Sequence, residues 1–379
     1  MQVVTISSDG SDFGTSLAGL TTAQPDLGIV FGNRGLLEDP AVISALRDAM
    51  PGAQVVGCST AGEINSERTT ENALSIMGIK FDATPVKVVT AQIAADKDGS
   101  YNAGRTLATD LQASDLRAIM VLSPGLNVNG SALVNGIRDV CDDGTVVFGG
   151  LAGDGTAFGI TRTLFNGDTF TDKVVAVGFY GTSLQVGTGS RGGWQAFGPV
   201  RRVTKAKNNV LEELDGKSAL ELYKQYLGER ADELPASGLL YPFAILSEDQ
   251  AETGLIRTIL DIDEANGSLI LAGDLPENAL VRLMHADNDA LVDGAEEAAE
   301  EANSIGGDGQ AAAICVSCVG RRIVMGNSVD DEVESVAEVL GVNAPIIGYY
   351  SYGEICPFTE TGLPELHNQT MTVTLLRER

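Results

Sequence analysis

The chain has 379 residues, of which 44% are hydrophobic and 20% charged, so it can bury a substantial core and its length favours two domains. Its formal net charge of −27 disfavours binding to nucleic acid or to a bare anionic membrane, because like charges repel. The five cysteines are odd in number and lie mostly in apolar stretches, which indicates reduced thiols in a cytosolic protein.

The N-terminus contains no recognisable targeting signal. Its sequence, MQVVTISSDG, lacks the basic head and the long apolar run of a signal peptide. No window approaches the roughly 18 uninterrupted apolar residues that a spanning helix requires. We therefore predict a cytoplasmic protein without membrane insertion.

The first predicted unit begins with an apolar strand, DLGIVFGN, at residues 26–33. An amphipathic helix, PAVISALRDAM, follows, with Val42, Ile43 and Leu46 on one face. The segment AQVVGCSTAGEI predicts a second strand and its exit, and ALSIMGIKF predicts a third strand. The order is strand, helix, strand, turn, strand.

Two further stretches repeat this order. The first has strand AIMVLSPG (118–125), helix SALVNGIRDVC, strand exit VVFGGLAGD (146–154) and strand KVVAVGFYG. The second has strand AAAICVSC (311–318), helix DDEVESVAEVL, strand exit APIIGYYSYGEI and strand QTMTVTLL. Three such units predict an α/β fold, a mixed-sheet layered sandwich built from repeated strand-helix-strand-strand units. The sequence does not reveal the strand order.

The stretch from about 190 to 240 interrupts the pattern. Basic VRRVTKAKNN precedes the amphipathic helix KSALELYKQYLG, and Pro235 and Gly238 punctuate the loop that follows. LIRTILDID and SLILAGD are then joined at EANG, where Asn-Gly favours a hairpin turn. We place a domain boundary at this interruption, between residues 205 and 206.

The strand exits GCSTAGEI (57–64) and GYYSYGEI (348–355) share the pattern Gly-x-x-[Thr/Ser]-x-Gly-Glu-Ile. The third exit carries Gly-Asp at Gly153-Asp154. Ligands of open α/β sheets bind outside the carboxyl ends of strands, where glycine admits a close approach and carboxylates accept hydrogen bonds. Such turns also serve simply to cap a helix or to brace the backbone.

These strand exits supply the candidate ligand-binding residues. We expect the turns from the two ends of the chain to meet around one pocket that suits a small cationic or zwitterionic ligand. The candidates are Cys58, Ser59, Thr60, Glu63, Asp154, Tyr350, Ser351, Tyr352, Glu354 and His367.

Other reactive residues are few. Only two histidines exist, His285 and His367, so a three-histidine zinc site is excluded and acid-base chemistry through histidine is scarce. For His367 a hydrogen-bonded structural role competes with ligand contact or axial coordination of a haem iron. Cys58 and Cys356 adjoin the repeated turns, but neither has a histidine nearby in sequence to activate it.

The motifs resemble those of a known sensory family. GCSTAGEI, PGLNVNGSALVNGI, GGLAGDG and VVAVGFYG resemble the FIST N-terminal domain. LIRTILDID, GSLILAGDLP, VRLMHA, SCVGRR, YYSYGEICP and ELHNQTMTVTLL resemble its C-terminal partner. The resemblance spans essentially the whole chain and implies an N-terminal domain at 1–205 and a C-terminal domain at 206–379.

The resemblance implies a stand-alone intracellular bacterial sensor. It would bind a small ligand, an amino acid being the usual suggestion, and signal through a separate partner such as a histidine kinase. The family's GEI, GDG and LHNQT motifs correspond to Glu63, Asp154, Glu354 and His367. Because no catalytic constellation is visible, we predict that the protein is not an enzyme.

Two alternatives remain open. Some stand-alone members of the family are haem proteins that respond to nitric oxide, which would make His367 the axial ligand. The weaker alternative is an enzyme that uses Cys58 or Cys356 together with a carboxylate.

Overall fold

Three structurally similar units and one inserted sheet make up the fold. The computed structural model describes residues 1–11, 13–142, 144–307, 309–357 and 362–379. The first unit consists of β1 (Gln2–Ser8), α1 (Phe13–Ser16), α2 (Ala18–Ala23), β2 (Leu27–Gly32), α3 (Arg34–Leu37), α4 (Pro40–Ala49), β3 (Gln54–Ser59), β4 (Glu63–Asn65), β5 (Arg68–Thr70) and β6 (Leu74–Lys80).

The second unit repeats this order with one helix in place of each pair of helices in the first unit. It consists of β7 (Val86–Gln92), α5 (Gly99–Leu111), β8 (Leu116–Ser123), α6 (Gly130–Arg138), β9 (Val146–Leu151), β10 (Thr163–Phe165), β11 (Asp168–Phe170) and β12 (Lys173–Tyr180). Asn129 starts α6 by accepting a hydrogen bond from Ala132 N through its side-chain oxygen, at 2.9 Å.

The third unit is split by an insertion. It begins with β13 (Leu184–Arg191) and continues, after the inserted sheet, with α8 (Asn288–Asn303), β23 (Ala311–Cys318), α9 (Val319–Met325), α10 (Val329–Leu340), β24 (Ile346–Ser351), β25 (Gly353–Pro357), β26 (Pro364–His367) and β27 (Met371–Glu378).

The insertion is an antiparallel sheet with one α-helix. Its elements are β14 (Gln195–Ala196), β15 (Arg201–Lys207), β16 (Val210–Leu214), β17 (Lys217–Ser218), α7 (Ala219–Leu227), β18 (Phe243–Leu246), β19 (Glu252–Arg257), β20 (Ile259–Asp263), β21 (Ser268–Leu271) and β22 (Leu280–His285). The main strand order is β19-β18-β22-β15-β16-β21-β20, with short 3₁₀ helices at Gly228–Glu233 and Ala236–Leu240.

The three unit sheets have the same strand order. They run β1-β6-β2-β3-β10-β11, β7-β12-β8-β9-β25-β26 and β13-β27-β23-β24-β4-β5. In each sheet two central strands are parallel and the strand beside them is antiparallel. The last two strands of each sheet form a hairpin that comes from another unit, so the three units exchange hairpins in a closed cycle.

The inner faces of the three sheets share one core. Phe31 of the first sheet, Phe148 and Phe179 of the second and Tyr349 of the third belong to a single apolar cluster. Helices cover the outer faces, as α5 and α6 do on the second sheet and α8 and α10 do on the third. The predicted mixed-sheet layered sandwich of repeated units is confirmed.

The predicted boundary at 205/206 falls within β15, at the start of the inserted sheet. Each of the three unit sheets nevertheless extends beyond a single unit, and two of them combine strands from both sides of that boundary.

Within the described residues, no helix is both long enough and apolar enough to cross a bilayer.

Candidate functional site

The three strand exits meet in a ring of backbone hydrogen bonds. The bonds run from Ala61 N–H to Tyr350 C=O (2.8 Å), from Gly153 N–H to Ser59 C=O (2.9 Å) and from Tyr352 N–H to Leu151 C=O (3.2 Å). Each unit donates one of these three hydrogen bonds and accepts one. The backbones of the turns from the two ends of the chain, which we expected to meet around one pocket, are thus joined by a hydrogen bond.

Glu63 is held inside its own turn. Thr60 Oγ1 donates to Glu63 Oε1 at 2.6 Å, and the other carboxylate oxygen accepts from Thr70 Oγ1 (3.2 Å) and Ala73 N (3.3 Å). The side chain is 1% exposed. Burial raises the pKa of Glu63, although its hydrogen bonds and the charge of Arg322 oppose that shift.

Glu354 repeats this arrangement at the third unit. Ser351 Oγ donates to Glu354 Oε1 at 2.6 Å, and Thr370 donates to Oε2 through its backbone N–H (3.2 Å) and its hydroxyl (3.0 Å). Complete burial raises the pKa of Glu354 to about 8. The repeated sequence pattern thus corresponds to a repeated hydrogen-bond arrangement.

Asp154 is not the third member of this set. The ring makes Gly153 equivalent to Ala61 and Tyr352, so Asp154 is equivalent to Gly62 and lies one residue before the glutamate position. Its Oδ2 accepts from Gly159 N (2.8 Å) and Ile160 N (2.7 Å), and Tyr352 OH donates to Oδ1. Grouping it with the two glutamates as equivalent Gly-acid steps is corrected accordingly.

An open cleft of about 620 Å³ lies beside the first turn. Of the predicted site residues, Thr60, Glu63 and Asp154 line it. The other lining residues come from the first turn, the loop after β9, the start of α3, the loop before β6, and α9 with the residue that follows it. They include Asn33, Arg34, Glu71, Asn72, Val319, Arg322 and Ile323.

Arg322 is one of two arginines that line this cleft, the other being Arg34. The Arg322 guanidinium donates to the carbonyl oxygen of Ala61 and forms an ion pair with Glu71. It also lies 5.4 Å from the centre of the Tyr350 ring. Glu71 has a 68% exposed side chain, whereas that of Arg322 is 18% exposed, so the carboxylate is the readily displaced partner.

Several predicted residues lie away from the cleft. Cys58, Ser59, Tyr350 and Ser351 are fully buried, and burial raises the pKa of the Cys58 thiol. Ser59 Oγ donates to Gly153 C=O at 2.7 Å, so it joins two turns of the ring. Tyr352 contacts Asp154 and stacks on Phe158 with ring centres 4.5 Å apart.

His367 and Glu354 do not line the cleft with Glu63. His367 is 2% exposed, and its Nε2 lies 3.1 Å from the carbonyl oxygen of Cys356. Burial lowers its pKa to about 4. A haem iron needs an accessible imidazole nitrogen with room for the macrocycle, and this buried, backbone-bound ring does not fit that role.

Metal-binding side chains are not grouped elsewhere in the described chain. Those residues contain no cluster of three or more His, Cys, Asp or Glu side chains that could hold a metal ion.

A larger groove of about 1170 Å³ lies between α4 and the β10–β11 hairpin, and none of the predicted site residues lines it.

Sequence reasoning missed Arg322 and Glu71. Arg322 lies four residues after the end of a buried strand, in the segment SCVGRR, and Glu71 precedes a predicted strand without any motif. The two arginines of SCVGRR were the available signal, because cations are uncommon in so acidic a chain. Only folding shows that Arg321 points inward and Arg322 towards the cleft.

Related sequences cover nearly the whole chain. The uncharacterized protein MT0656 of Mycobacterium tuberculosis (strain CDC 1551 / Oshkosh) is 25% identical over 364 residues, which is 94% of this chain and 92% of that protein. The uncharacterized protein Mb0898c of Mycobacterium bovis is 25% identical over 362 residues, covering 93% and 90% of the two chains.

Solved structures of enzymes match the chain weakly. A cyanuric acid hydrolase from A. caulinodans has a TM-score of 0.37 and 9% identity, and the match covers 100% of this chain and 98% of that one. A chorismatase has a TM-score of 0.36 and 9% identity, with 99% and 98% covered. The prediction that the protein is not an enzyme is corrected by these matches and is withdrawn, while likeness at this level assigns no activity.

Two family models match in succession. The FIST N domain model matches residues 26–217, and the FIST C domain model matches residues 219–357. FIST domains are associated with sensory signal transduction. The chain therefore belongs to the family in which a FIST N domain is followed by a FIST C domain.

Proposed function

We propose that the protein is a sensor that binds a small amino-acid-like ligand in the cleft beside Arg322 and signals through a separate protein. The observation that carries this proposal is the opposed pair of charges, Arg322 and Glu71, at a cleft lined by residues of all three units. The volume of about 620 Å³ lies within the usual range of roughly 300–1,000 Å³ for small-molecule sites.

The Arg322–Glu71 ion pair suits a zwitterion by partner exchange. A ligand carboxylate would replace Glu71 on the guanidinium, with two parallel hydrogen bonds available. The released Glu71 carboxylate would then accept the ligand's ammonium group. Since exposed ion pairs contribute only about 0–1 kcal/mol, little energy opposes the exchange.

The same arginine supports a route for the signal. Arg322 lies on α9 in the third unit and bonds Ala61 in the first, next to the backbone ring. A ligand that changes the geometry of Arg322 would shift α9 relative to the first unit. We propose that a cytoplasmic partner such as a histidine kinase recognises that shift.

Thermal unfolding and calorimetric titration with the twenty amino acids test the ligand. A ligand at a hundred times its Kd stabilises the folded protein by about 2.7 kcal/mol.

Arg322→Gln should weaken binding at least tenfold, and Glu71→Gln should reduce the preference for the amino acid over its N-acetyl derivative. Arg68→Gln is the matched control, because Arg68 is 70% exposed and pairs with Asp330 outside the cleft. Binding that is equal in wild type and Arg322→Gln would refute the site.

A further inference from the structure

The groove between α4 and the β10–β11 hairpin borders the open edge of the first sheet. Its volume is about 1170 Å³, and Thr169, the central residue of β11, lines it. β11 is the last strand of that sheet, and Phe165 and Asp168 form the hydrogen-bonded pair next to the two-residue turn of the hairpin. Hydrogen-bonded and non-hydrogen-bonded pairs alternate along a hairpin, so the N–H and C=O groups of Thr169 point away from β10.

The edge strands of the three unit sheets occupy equivalent positions. In each of them one residue lies opposite an apolar residue, which in turn lies opposite a glycine of the neighbouring strand. At each glycine a carbonyl oxygen of the next strand lies 2.0–2.1 Å from the place of a Cβ, so only glycine fits. The three sets are Thr169, Leu164 and Gly57; Thr69, Ile64 and Gly348; and Leu366, Ile355 and Gly149.

The third and second sheets close this position with a covering helix. In the third sheet, Asp330 of α10 accepts from Thr69 N–H at 2.8 Å and from Thr69 Oγ1 at 2.5 Å. Arg68 Nη1 also lies 3.3 Å from Asp330 Oδ2. In the second sheet, Leu366 packs against the start of α6, where a Cβ on Gly130 would be 2.9 Å from Leu366 Cδ1. A carboxylate or an apolar side chain thus fills the equivalent position.

The first sheet leaves this position open. Leu164 packs with α4 in one apolar cluster, so the side chain of Thr169 opposite it lies on the α4 face of the sheet. Asp39, the residue before α4, accepts from Ala41 N at 2.8 Å and so caps its own helix. Among the described residues, nothing accepts a hydrogen bond from the Thr169 hydroxyl, and no side chain accepts from its N–H. The groove therefore exposes two donors of one residue.

Arg47 of α4 adds a cation to the groove. Its Cδ lies 3.0 Å, and its Nη1 3.8 Å, from the position that a Cβ on Gly167 would occupy. Gly167 is two residues before Thr169, so the guanidinium lies at the same end of the hairpin. A neighbouring ion pair joins Arg162 to Glu38 at 2.6 Å, and in the described chain Arg47 forms none. Two donors and an unpaired cation favour a carboxylate, as on the third sheet.

The dimensions of the groove suit a peptide better than a small molecule. Its volume exceeds the usual range of roughly 300–1,000 Å³ for small-molecule sites. Residues along all of α4, from Pro40 to Met50, line it, which is a length of about 15 Å at about 1.5 Å per residue. An extended segment of about five residues has that length at about 3.3 Å per residue.

Other charges in the groove restrict the residues beside the carboxylate. Asp48 and Asp172 also line it. Lysines on either side of the carboxylate would be attracted to these acids and to a chain whose net charge is −27.

We propose that the groove binds an extended segment of another protein that carries an aspartate flanked by lysines. The aspartate would accept from the N–H and the hydroxyl of Thr169, as Asp330 does from Thr69, and its charge would lie near Arg47. This interaction surface is separate from the cleft beside Arg322, and the inference does not depend on the ligand of that cleft.

Fluorescence anisotropy with the full chain and a fluorescein-labelled peptide amide, Lys-Val-Asp-Val-Lys, tests the surface. Its alternation places the aspartate and both lysines on one side of an extended strand. It should bind at least tenfold more tightly than the peptide with asparagine in place of aspartate, because hydrogen bonds to a charged acceptor are the stronger ones. Equal affinities of the two peptides would overturn the proposal. So would displacement of the peptide by an equal concentration of sodium acetate, which would show a site for small carboxylates.

Two variants test the residues of the surface. Thr169→Val removes the hydroxyl and keeps the branched shape, and it should weaken binding of the aspartate peptide about fivefold. Arg47→Gln removes the cation and should reduce the preference for aspartate over asparagine by a similar factor. Arg105→Gln is the control, because Arg105 is an exposed arginine on α5 that does not line the groove. Unchanged binding in both Thr169→Val and Arg47→Gln would overturn the proposal.

Thermal unfolding separates a binding role from a structural one. Without peptide, Thr169→Val should keep the wild-type midpoint, because its hydroxyl has no acceptor among the described residues. Thr69→Val should lower the midpoint, because it removes the hydrogen bond to Asp330. If Thr169→Val lowered the midpoint as much as Thr69→Val does, the hydroxyl would serve the fold itself and the proposal would be overturned. Arg322→Gln should leave the peptide affinity unchanged, whatever the amino-acid titrations show for the cleft.

Discussion

At the scale of residues, the two Gly-Glu-Ile turns have the same hydrogen-bond arrangement around their glutamates. A hydroxyl three residues before the glutamate donates to one carboxylate oxygen, and donors from the following hairpin bind the other. Both oxygens of each carboxylate therefore accept hydrogen bonds from the residues of the turn and of the segment that follows it. The motif therefore builds the turn, while the Arg322–Glu71 ion pair lines the cleft beside it.

The first prediction concerns the ionisation of Glu354. Its folded pKa of about 8 lies above the ordinary value of 4.5, so the folded state binds the proton more tightly than the unfolded state does. Its contribution to stability is complete below pH 4.5, is lost as the pH rises towards 8 and is constant above that. The loss should approach about 1.4 kcal/mol per pH unit inside this window.

Urea unfolding between pH 4 and pH 9 measures this effect. Glu354→Gln should flatten the fall in the free energy of unfolding and should be more stable than wild type above pH 8. Glu71→Gln, at an exposed carboxylate, should keep the wild-type slope. A Glu354→Gln profile parallel to wild type would show that Glu354 is ionised in the folded protein.

The sequence predicted these residues unevenly. Glu63 and Glu354 were found because the same pattern occurs twice and the physical need for a braced turn is the same in both copies. Asp154 was assigned to the wrong register, since a Gly-acid pair alone does not show which residue donates to the ring. The arginine pair of SCVGRR did not show that Arg322 belongs to the site, because only tertiary packing brings α9 against the turn that contains Ala61.

At the scale of elements, helices α9 and α10 are joined by a buried ion pair. Arg321 on α9 donates to Glu332 on α10 at 2.7 Å, and both side chains are fully buried. Tyr350 OH and Ser317 Oγ also donate to the glutamate, at 2.7 and 3.1 Å. The pair therefore ties two helices to two strands of the third sheet.

The second prediction is that Glu332→Leu destabilises the protein by about 3–5 kcal/mol, because the buried Arg321 charge is left without its counter-ion. The measurement is the free energy of unfolding in guanidinium chloride. Adding Arg321→Met should recover part of the loss. Glu334→Leu is the control on the same helix, since its exposed pair with Arg68 at 3.5 Å is worth under about 1 kcal/mol.

A Glu332→Leu variant that costs no more than Glu334→Leu would contradict this role of the pair. The amphipathic pattern of α10 predicted the helix, as Val333, Val336 and Leu340 are buried. It did not predict that Glu332 is buried beside them. An acidic first turn is favourable on any exposed helix, so sequence gives no sign that one of its carboxylates turns inward.

The strand order in the sheets could not be predicted from the sequence either. Apolar runs identified the parallel strands β2, β3, β8, β9, β23 and β24, because strands covered on both faces are apolar throughout. The exchanged hairpins contain strands of only three to five residues, such as Glu63–Asn65 and Thr163–Phe165. Periodicity in so short a strand does not specify which sheet it joins.

At the scale of the whole molecule, the exchanged hairpins make the units interdependent. Sheet three takes β4 and β5 from the first unit, and sheet two takes β25 and β26 from the third. All three inner faces then share one core. Cooperative unfolding of the three units is therefore expected, because none of them completes a sheet or a core alone.

The third prediction follows for fragments cut at the predicted boundary. Residues 1–205 retain β13, β4 and β5 but lose β23, β24 and β27, which lie between them in the third sheet. Residues 206–379 retain β25 but lose β9, its partner at Gly353–Leu151. Each fragment would expose the strand edges and the apolar face that the other covers, and such surfaces favour aggregation.

Separate and joint expression of the two fragments tests this interdependence. Expressed alone, each should precipitate or lack a sigmoidal unfolding transition by far-ultraviolet circular dichroism. Expressed together, they should purify as a one-to-one complex that unfolds in a single transition. The intact chain is the control for the spectrum. If either fragment folded alone with a cooperative transition, the exchanged hairpins would be dispensable surface additions, and the shared core would not be what unites the three units.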